Sequence, residues 1–461
     1  MAWLVIRAHV QSMSLDEADT YLVWAARQDP SHWFAASNNH VLNSLLMRLT
    51  TSVFGAYHLT VRMPALIGAA FYLSGTVALA MTLHRAIASR LALFSLLALN
   101  PMTQDYLVAA RGYALASGFL VWALWLILRV DGVNTPRRAA ALSAYTALSF
   151  ASNFAFAWVC FAVFLVAVVQ ARRGGARTWI ALTVPAAAIF VVFCSYPALT
   201  MPRQQLFFGT KSMGRMFGSV MESFTSTPNP YLANPWLLVV LKAVRVYLVP
   251  AMLAGLAGTL ILLIATRTRA RSVSLCLGVL AMAVASHYTM HRIAGMPLPK
   301  ERTAIFLVPL CILLFSTAAS VAFRSRFAYR WQASFRAVLA ATAIYVLFCM
   351  RLTWFAEWPW DADTRAMHDV AAWWADRLHE RTIASGWQYT SAMNFYEATF
   401  AGHGLTFRHH ENYKHSRGPA LWLLNWDFDQ DVIAERGLRV VWRADGSGSL
   451  IAVDPQTVLS V

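Results

Sequence analysis

Apolar residues run along this chain in long blocks, not at the two-residue period of a strand or on one stripe of a helix. A helix needs about 20 mostly apolar residues to cross the hydrocarbon core of a bilayer. The blocks predict spans at about 60–83, 91–101 (short), 106–128, 138–153, 154–171, 178–199, 236–265, 273–288, 303–323 and 335–355. Residues 1–13 are apolar but too short to span, and Arg7 and His9 interrupt them. They lack the basic start and small-residue cleavage site of a signal peptide. They read as the second half of a first helix whose beginning is missing. The expected fold class is a polytopic α-helical membrane protein of about 10–11 transmembrane helices, the first truncated.

The pattern changes near residue 356. Beyond it the apolar runs are short: 366–378 has helical spacing, 420–426 is strand-like, and 438–442 and 450–453 flank an Asp-Gly-Ser-Gly-Ser turn, a hairpin signal. Two domains are expected, a transmembrane one over 1–355 and a soluble α/β one over 356–461.

Composition supports the membrane reading. Hydrophobic residues make up 58% of the chain and charged residues 13%, against roughly 45–50% and 25% in soluble domains. Disordered chains, coiled coils and ordinary soluble enzymes are excluded. The net charge of +16 does not point to nucleic acid, because a binder gathers its basic residues on one soluble face. Here they sit in bursts between apolar runs: Arg85 and Arg90; Arg129, Arg137 and Arg138; Arg172, Arg173 and Arg177; Arg267, Arg269 and Arg271; Arg324, Arg326 and Arg330. If each of the ten spans crosses once, all five bursts share one side, the cytoplasm by the positive-inside rule. The outer loops are then 14–59, 100–105, 200–235 and 289–302, with the tail also outside. The five cysteines all lie in apolar runs without CxxC spacing, so neither a disulfide framework nor a zinc site is indicated.

Four outer segments carry candidate chemistry. Ser14-Leu15-Asp16-Glu17-Ala18-Asp19 places three acids just outside the first helix. They read either as a capped helix start or as catalytic carboxylates, since acids beside a membrane are costly unless solvated or used. Asn39, His40 and Asn43 open an amphipathic run and are either a polar helix start or donors to a phosphate or sugar. Asn100-Pro101 breaks a helix; Asp105 then sits at the mouth of the next, with Arg111 nearly two turns in and Tyr113 beyond. Late in the chain His287 and His291 have i, i+4 spacing, but no third metal ligand stands nearby. Lys300 and Arg302 close that loop as a lipid-phosphate clamp or as snorkelling cations.

The ordered set of "DE", "NNHVLNSLLMRLTTSVFG", "LTVRMPALIGA", "NPMTQDYLVAARGYALA" and "PLPKERTAIFLVPL" over about residues 14–320 resembles the GT-C glycosyltransferases, in the bacterial protein-O-mannosyltransferase-like and aminoarabinose-transferase-like branch. The tail is similar in kind to that family's outer α/β domain. The resemblance implies a bacterial cytoplasmic-membrane enzyme without cofactor or metal. It would transfer a sugar with inversion from a polyprenyl-phosphate donor to a hydroxyl of a lipid, glycan or protein acceptor. It implies Asp16 as the catalytic acid with Glu17 beside it, Arg302 on the lipid phosphate, His40 near that phosphate and Asp105 as a second outer-loop acid. The truncated first helix and the absence of His-Pro-Pro after His40 depart from the family pattern. A transporter of lipid-linked saccharides, and a catalytically silent sugar-binding relative, are the rival readings.

The arginine bursts predict that an alkaline phosphatase fusion after Trp426 is active. A fluorescent C-terminal fusion that folds only in the cytoplasm should be dark, and a bright one would overturn the orientation.

Overall fold

The computed structural model describes residues 1–34, 38–200, 208–229, 232, 234–353, 355, 357–413, 416 and 418–455. It is a polytopic helical membrane protein with a small sheet near its C-terminus. Among the described residues, five helices are long and apolar enough to cross a membrane: α4 (His58–Leu83), α9 with its preceding turn (Phe154–Ala171), α10 (Gly175–Phe193), α13 (Pro235–Thr266) and α14 (Arg271–Ala294). Shorter helices complete the bundle: α1 (Ala2–Val10), α2 (Leu15–Asp19), α3 (Val41–Phe54), α5 (Ile87–Ala98), α6 (Pro101–Tyr106), α7 (Tyr113–Leu128), α8 (Pro136–Ser152), α11 (Ser195–Thr200), α12 (Met213–Glu222), α15 (Leu307–Ala319) and α16 (Arg326–Leu347).

Several expected spans differ from the helices that form; the 178–199 run, for one, is interrupted at Cys194 between α10 and α11. The 106–128 run is not one helix. Asn100 caps α6 by accepting from the Thr103 amide at 3.3 Å, Pro101 takes the first helical position, and α6 ends at Tyr106. The chain turns through 107–112 before α7 begins at Tyr113. Arg111 therefore stands in a turn and not two turns inside a helix. Gly112 makes that turn fit, because a Cβ there would lie 1.8 Å from the Ser152 carbonyl oxygen. The 303–323 run is helical only over Leu307–Ala319, after a short 3₁₀ turn at Glu301–Ala304. The last helix begins at Arg326 and ends at Leu347, earlier than 335–355 at both ends. Long arginine stems carry their charges out to the surface while the helix continues, so arginines do not mark its start.

Helices α4 and α7 pack closely against each other. A Cβ on Gly68 would come within 2.4 Å of the Leu115 amide nitrogen, and one on Gly118 within 2.7 Å of the Gly68 carbonyl. Small residues let helix backbones approach where no hydrophobic force drives them together.

Beyond the bundle stand α17 (Thr364–Arg377), α18 (Trp387–Tyr396) and α19 (Gln430–Arg436) with β1 (Thr382–Ser385), β2 (Thr406–His409), β3 (Leu421–Asn425), β4 (Arg439–Ala444) and β5 (Ser449–Val453). The described strands form one mixed sheet in the order β2-β1-β3-β5-β4. β1 runs parallel to β2 and β3, while β5 is antiparallel to β3 and β4. The β4–β5 pair is the hairpin expected around the Asp-Gly-Ser-Gly-Ser turn. The sheet's core does not stop at its own residues: Met13, Ala18 and Ala25 pack in one cluster with Met367, Tyr389, Leu423 and Ile451. Tyr396 Oη accepts from the Met13 amide at 2.8 Å, and Thr364 Oγ1 donates to the Met13 carbonyl at 3.0 Å. The chain around Met13 is thus clamped between the bundle and the helices that pack on the sheet.

Gly68→Ala should lower the midpoint of thermal unfolding in detergent, by roughly 1–3 kcal/mol of overpacking. Alanine at the half-buried Gly278, where an added Cβ meets nothing within 4 Å, should leave it unchanged.

Candidate active site

The site is built from α2 upward. Ser14 caps this helix: its hydroxyl accepts from the Glu17 amide at 3.4 Å, and Glu17 Oε2 accepts from the Ser14 amide at 3.0 Å. That is a capping box. Glu17 is fully buried and its carboxylate is further consumed. Arg62 of α4 grips it with two 2.7 Å bonds, one to each oxygen, and the Ala110 amide donates at 2.7 Å. Burial alone would raise the Glu17 pKa, but Arg62 and the two amides hold it below the ordinary value of 4.5. Arg62 also donates to the carbonyls of Ala8, Gln11 and Ser12 at 3.0, 2.9 and 2.8 Å, closing the C-terminal end of α1. One guanidinium ties α1, α2 and α4 together.

With Ser14 and Glu17 spent on the cap, Asp16 is left pointing the other way. Its carboxylate meets two guanidiniums. Arg111 stands at 3.1 Å and also donates to the Asp16 carbonyl at 3.2 Å and to Asn38 Oδ1 at 2.7 Å. Arg302 makes the second ion pair. Asp19 turns outward to Ser391 on α18, where burial and the Asp16 charge raise its pKa.

Arg302 comes from a loop that is pinned on several sides. Thr210 and Leu298 exchange two backbone bonds of 2.8 Å. His287 Nε2 and His291 Nδ1 bond the carbonyls of Pro297 and Met296 at 3.2 and 2.7 Å. The i, i+4 histidine pair thus shapes this loop, and among the described residues no group of three or more metal-ligating side chains forms. Glu301, before Arg302, holds φ at +51°, a left-handed conformation that costs a non-glycine residue energy and recurs at functional sites. The Arg302 guanidinium lies 4.4 Å from the Phe208 ring centroid.

Arg111 and Arg302 line one end of a cavity of about 340 Å³. Asn38, His40 and Tyr113 share that end, while Phe150, Phe154, Trp158, Cys194, Ala198 and Met296 make much of the remaining wall. His40 is buried, and its Nε2 has no hydrogen-bond partner among the described residues. Burial first, then Arg111 and Arg302, push its pKa well below 6.5, so the ring is neutral. The local charge is one carboxylate against two guanidiniums, an excess of one positive charge at the end of a mostly apolar cavity.

The other candidates stand apart from this cavity. α3 begins at Val41, so Asn39 precedes the helix and is not paired with Asn43 one turn along it. Asn39 donates to the Trp33 carbonyl at 2.8 Å and accepts from Ser44, and Asn43 donates to the Ala110 carbonyl at 3.3 Å. Asp105 is buried against Arg7 at 2.5 Å and accepts from the Glu357 amide at 3.0 Å. Lys300 pairs at 2.5 Å with its neighbour Glu301 and is more than a third exposed. Sequence reasoning overlooked Arg62, although an arginine at the start of a 26-residue apolar helix is itself a signal of a buried partner. It also overlooked Glu357, whose carboxyl burial and then the charges of Asp105, Glu301 and Glu222 raise to about 8.

No known family's sequence profile and no curated protein matches this chain. Among solved structures, the chain is similar to ArnT from Cupriavidus metallidurans, both in the apo state and bound to undecaprenyl phosphate. Identity is 11%, coverage 98% of this chain and 96% of that one, and the TM-score 0.49. It is also similar to the archaeal oligosaccharyltransferase AglB from Archaeoglobus fulgidus, crystallised with an inhibitory peptide and a dolichol-phosphate. There identity is 12%, coverage 98% of this chain and 70% of that one, and the TM-score 0.40. At this level of likeness the chemistry has to be read from the site itself.

Glu17→Gln leaves Arg62 buried without its counter-charge, and breaking such a pair costs roughly 3–5 kcal/mol. Thermal unfolding in detergent at pH 7 should register that loss. Because the folded pKa lies below 4.5, the carboxylate's contribution is present above that value and fades as pH falls through the folded pKa. The gap between wild type and variant should therefore narrow in acid. A gap that widens there would contradict the assignment.

Proposed function

We propose that this protein transfers a sugar from a polyprenyl-phosphate donor to an acceptor hydroxyl at the outer face of the bacterial cytoplasmic membrane. The observation that supports it is the surplus guanidinium charge at the end of an apolar cavity. A donor with a phosphate head and a hydrocarbon tail matches both halves of that cavity, and neither half alone would select it.

The roles follow from the geometry. An incoming phosphate competes with Asp16 for Arg302, and a guanidinium prefers a planar two-point contact with such an oxyanion. Arg302 moves to the phosphate while Arg111 continues to hold Asp16. Asp16 then has a free oxygen to take the proton of the acceptor hydroxyl as that oxygen attacks the anomeric carbon. The bond from the anomeric carbon to the phosphate oxygen breaks, and its electron pair leaves on the lipid phosphate. Arg302 stabilises that charge in place of a general acid. Attack opposite the leaving group inverts the anomeric centre. Glu17 is a positioning residue in this scheme, since its oxygens are occupied by Arg62 and two backbone amides. Sugar and acceptor identity are left open by these residues.

Asp16→Asn should express and fold, because the capping box and Arg62 set the helix, and should bind undecaprenyl phosphate. Its transfer of radiolabelled sugar from a panel of polyprenyl-phosphate donors to envelope fractions should fall roughly 10²–10⁴-fold, the usual contribution of a general base. Near-wild-type turnover would remove Asp16 from the mechanism. Absence of transfer by the wild type, with transport of the lipid-linked sugar instead, would favour the transporter reading. Arg302→Ala should weaken undecaprenyl phosphate binding about ten- to a hundredfold, as a charged hydrogen bond of roughly 1.5–3 kcal/mol implies. Arg302→Lys should recover only part of it.

A further inference from the structure

The cavity contains polar groups that the phosphate does not account for. Asn153 ends α8 and is 3% exposed; its Oδ1 accepts from the Ala155 amide at 2.9 Å, capping the turn into α9. Its Nδ2 is buried and has no partner among the described residues. His287, 7% exposed, bonds the Pro297 carbonyl through Nε2 at 3.2 Å, and its Nδ1 is likewise buried and unpartnered. Both residues line the cavity. Trp158, the second residue of α9, lines the same cavity, with its ring centroid 6.3 Å from that of His287.

The bonds already made fix what the free atoms offer. A carbonyl can only accept, so His287 Nε2 carries the proton facing Pro297. In the neutral ring Nδ1 is then an acceptor. The Asn153 amide nitrogen has two protons to donate. A donor and an acceptor left open beside an indole face suit an uncharged group that both gives and takes hydrogen bonds and presents C–H faces. A hydroxyl-bearing sugar ring is such a group. A hydrocarbon chain seated against these two atoms, instead of against the Phe150, Phe154 and Ala198 part of the wall, would leave both unsatisfied at a real cost, and a phosphate would meet an acceptor where it needs donors.

We infer that Asn153, Trp158 and His287 form a sugar subsite in the cavity wall, which reads ring hydroxyls of the donor while the Arg302 end holds its phosphate. This rests on the lipid-phosphate reading above. It adds a specificity determinant distinct from the charged cluster: a neutral pair that discriminates the glycosylated carrier from the bare one. A site built to hydrogen-bond a hydroxyl rejects the analogue lacking it, because its own buried atoms are then left unpaired.

The test compares two ligands on the full-length protein in nanodiscs. Affinities are measured for undecaprenyl phosphate and for undecaprenyl phosphate carrying glucose, mannose or an amino-pentose. The wild type should bind at least one sugar-bearing lipid more tightly than the bare one. His287→Gln keeps a side-chain N–H for the Pro297 carbonyl and removes the ring acceptor Nδ1; Asn153→Ser keeps a capping oxygen and removes the amide nitrogen without adding charge. Each should cut the preference roughly five- to tenfold, the worth of about one hydrogen bond, with bare-lipid affinity unchanged. Equal weakening of both lipids would make these residues part of the tail channel and overturn the subsite. So would a wild type that binds the bare carrier as tightly as every glycosylated one. A wild type that binds no lipid phosphate at all would instead defeat the proposed function itself.

Discussion

The site depends on one buried pair, Glu17 with Arg62. Taking two charges out of water is repaid only when the geometry is close and the remaining donors are met. Here both carboxylate oxygens face the guanidinium at 2.7 Å, and the other guanidinium protons reach the last carbonyls of α1. The pair fixes where α2 starts and how it is turned. Since Glu17 points inward, Asp16, its neighbour in sequence, must point elsewhere on the helix, toward Arg111 and Arg302. Two adjacent acids thereby acquire opposite roles, one as structure and one as chemistry, from a single rotational setting.

The rest of the fold converges on the same spot. Gly112 lets the α6–α7 turn lie against the end of α8, which brings Arg111 to Asp16. The two histidines of α14 hold the Met296 and Pro297 carbonyls, and the Thr210–Leu298 bridge fixes the loop from the other side, so that Arg302 arrives from the far end of the chain. Helices α17 and α18 hold the α1–α2 junction through Thr364 and Tyr396. Charge surplus and apolar wall are therefore consequences of three loops meeting where bundle and sheet join.

Much of this was legible in the sequence, and the exceptions share a cause. The long apolar blocks gave the membrane class, and the Asp-Gly-Ser-Gly-Ser turn gave its hairpin, because both signals are local. Asp16, His40, Arg111 and Arg302 stood out as polar residues at the ends of apolar runs, and they do meet. Their pairing was not legible: Asp105 and Arg111 lie six residues apart, yet Arg7 takes Asp105 and Asp16 takes Arg111. Nothing in spacing distinguishes those alternatives, since the partners lie about a hundred residues apart and only tertiary packing selects them. The His287–His291 spacing came without a third metal ligand and gave no role for the pair; the loop that follows supplies two carbonyls within reach. Asn153 gave no signal, because a residue that caps one helix and leaves one amide free looks in sequence like any other cap.

The central claim is that Arg302 is shared between Asp16 and a lipid phosphate. Two structures of the full-length protein in nanodiscs, with and without undecaprenyl phosphate, test it most directly. The account predicts the Arg302 guanidinium on Asp16 in the lipid-free state and on the phosphate in the bound state, with Arg111 on Asp16 in both. A phosphate bound away from Arg302, or an Arg302 that stays on Asp16 with the lipid seated, would contradict it.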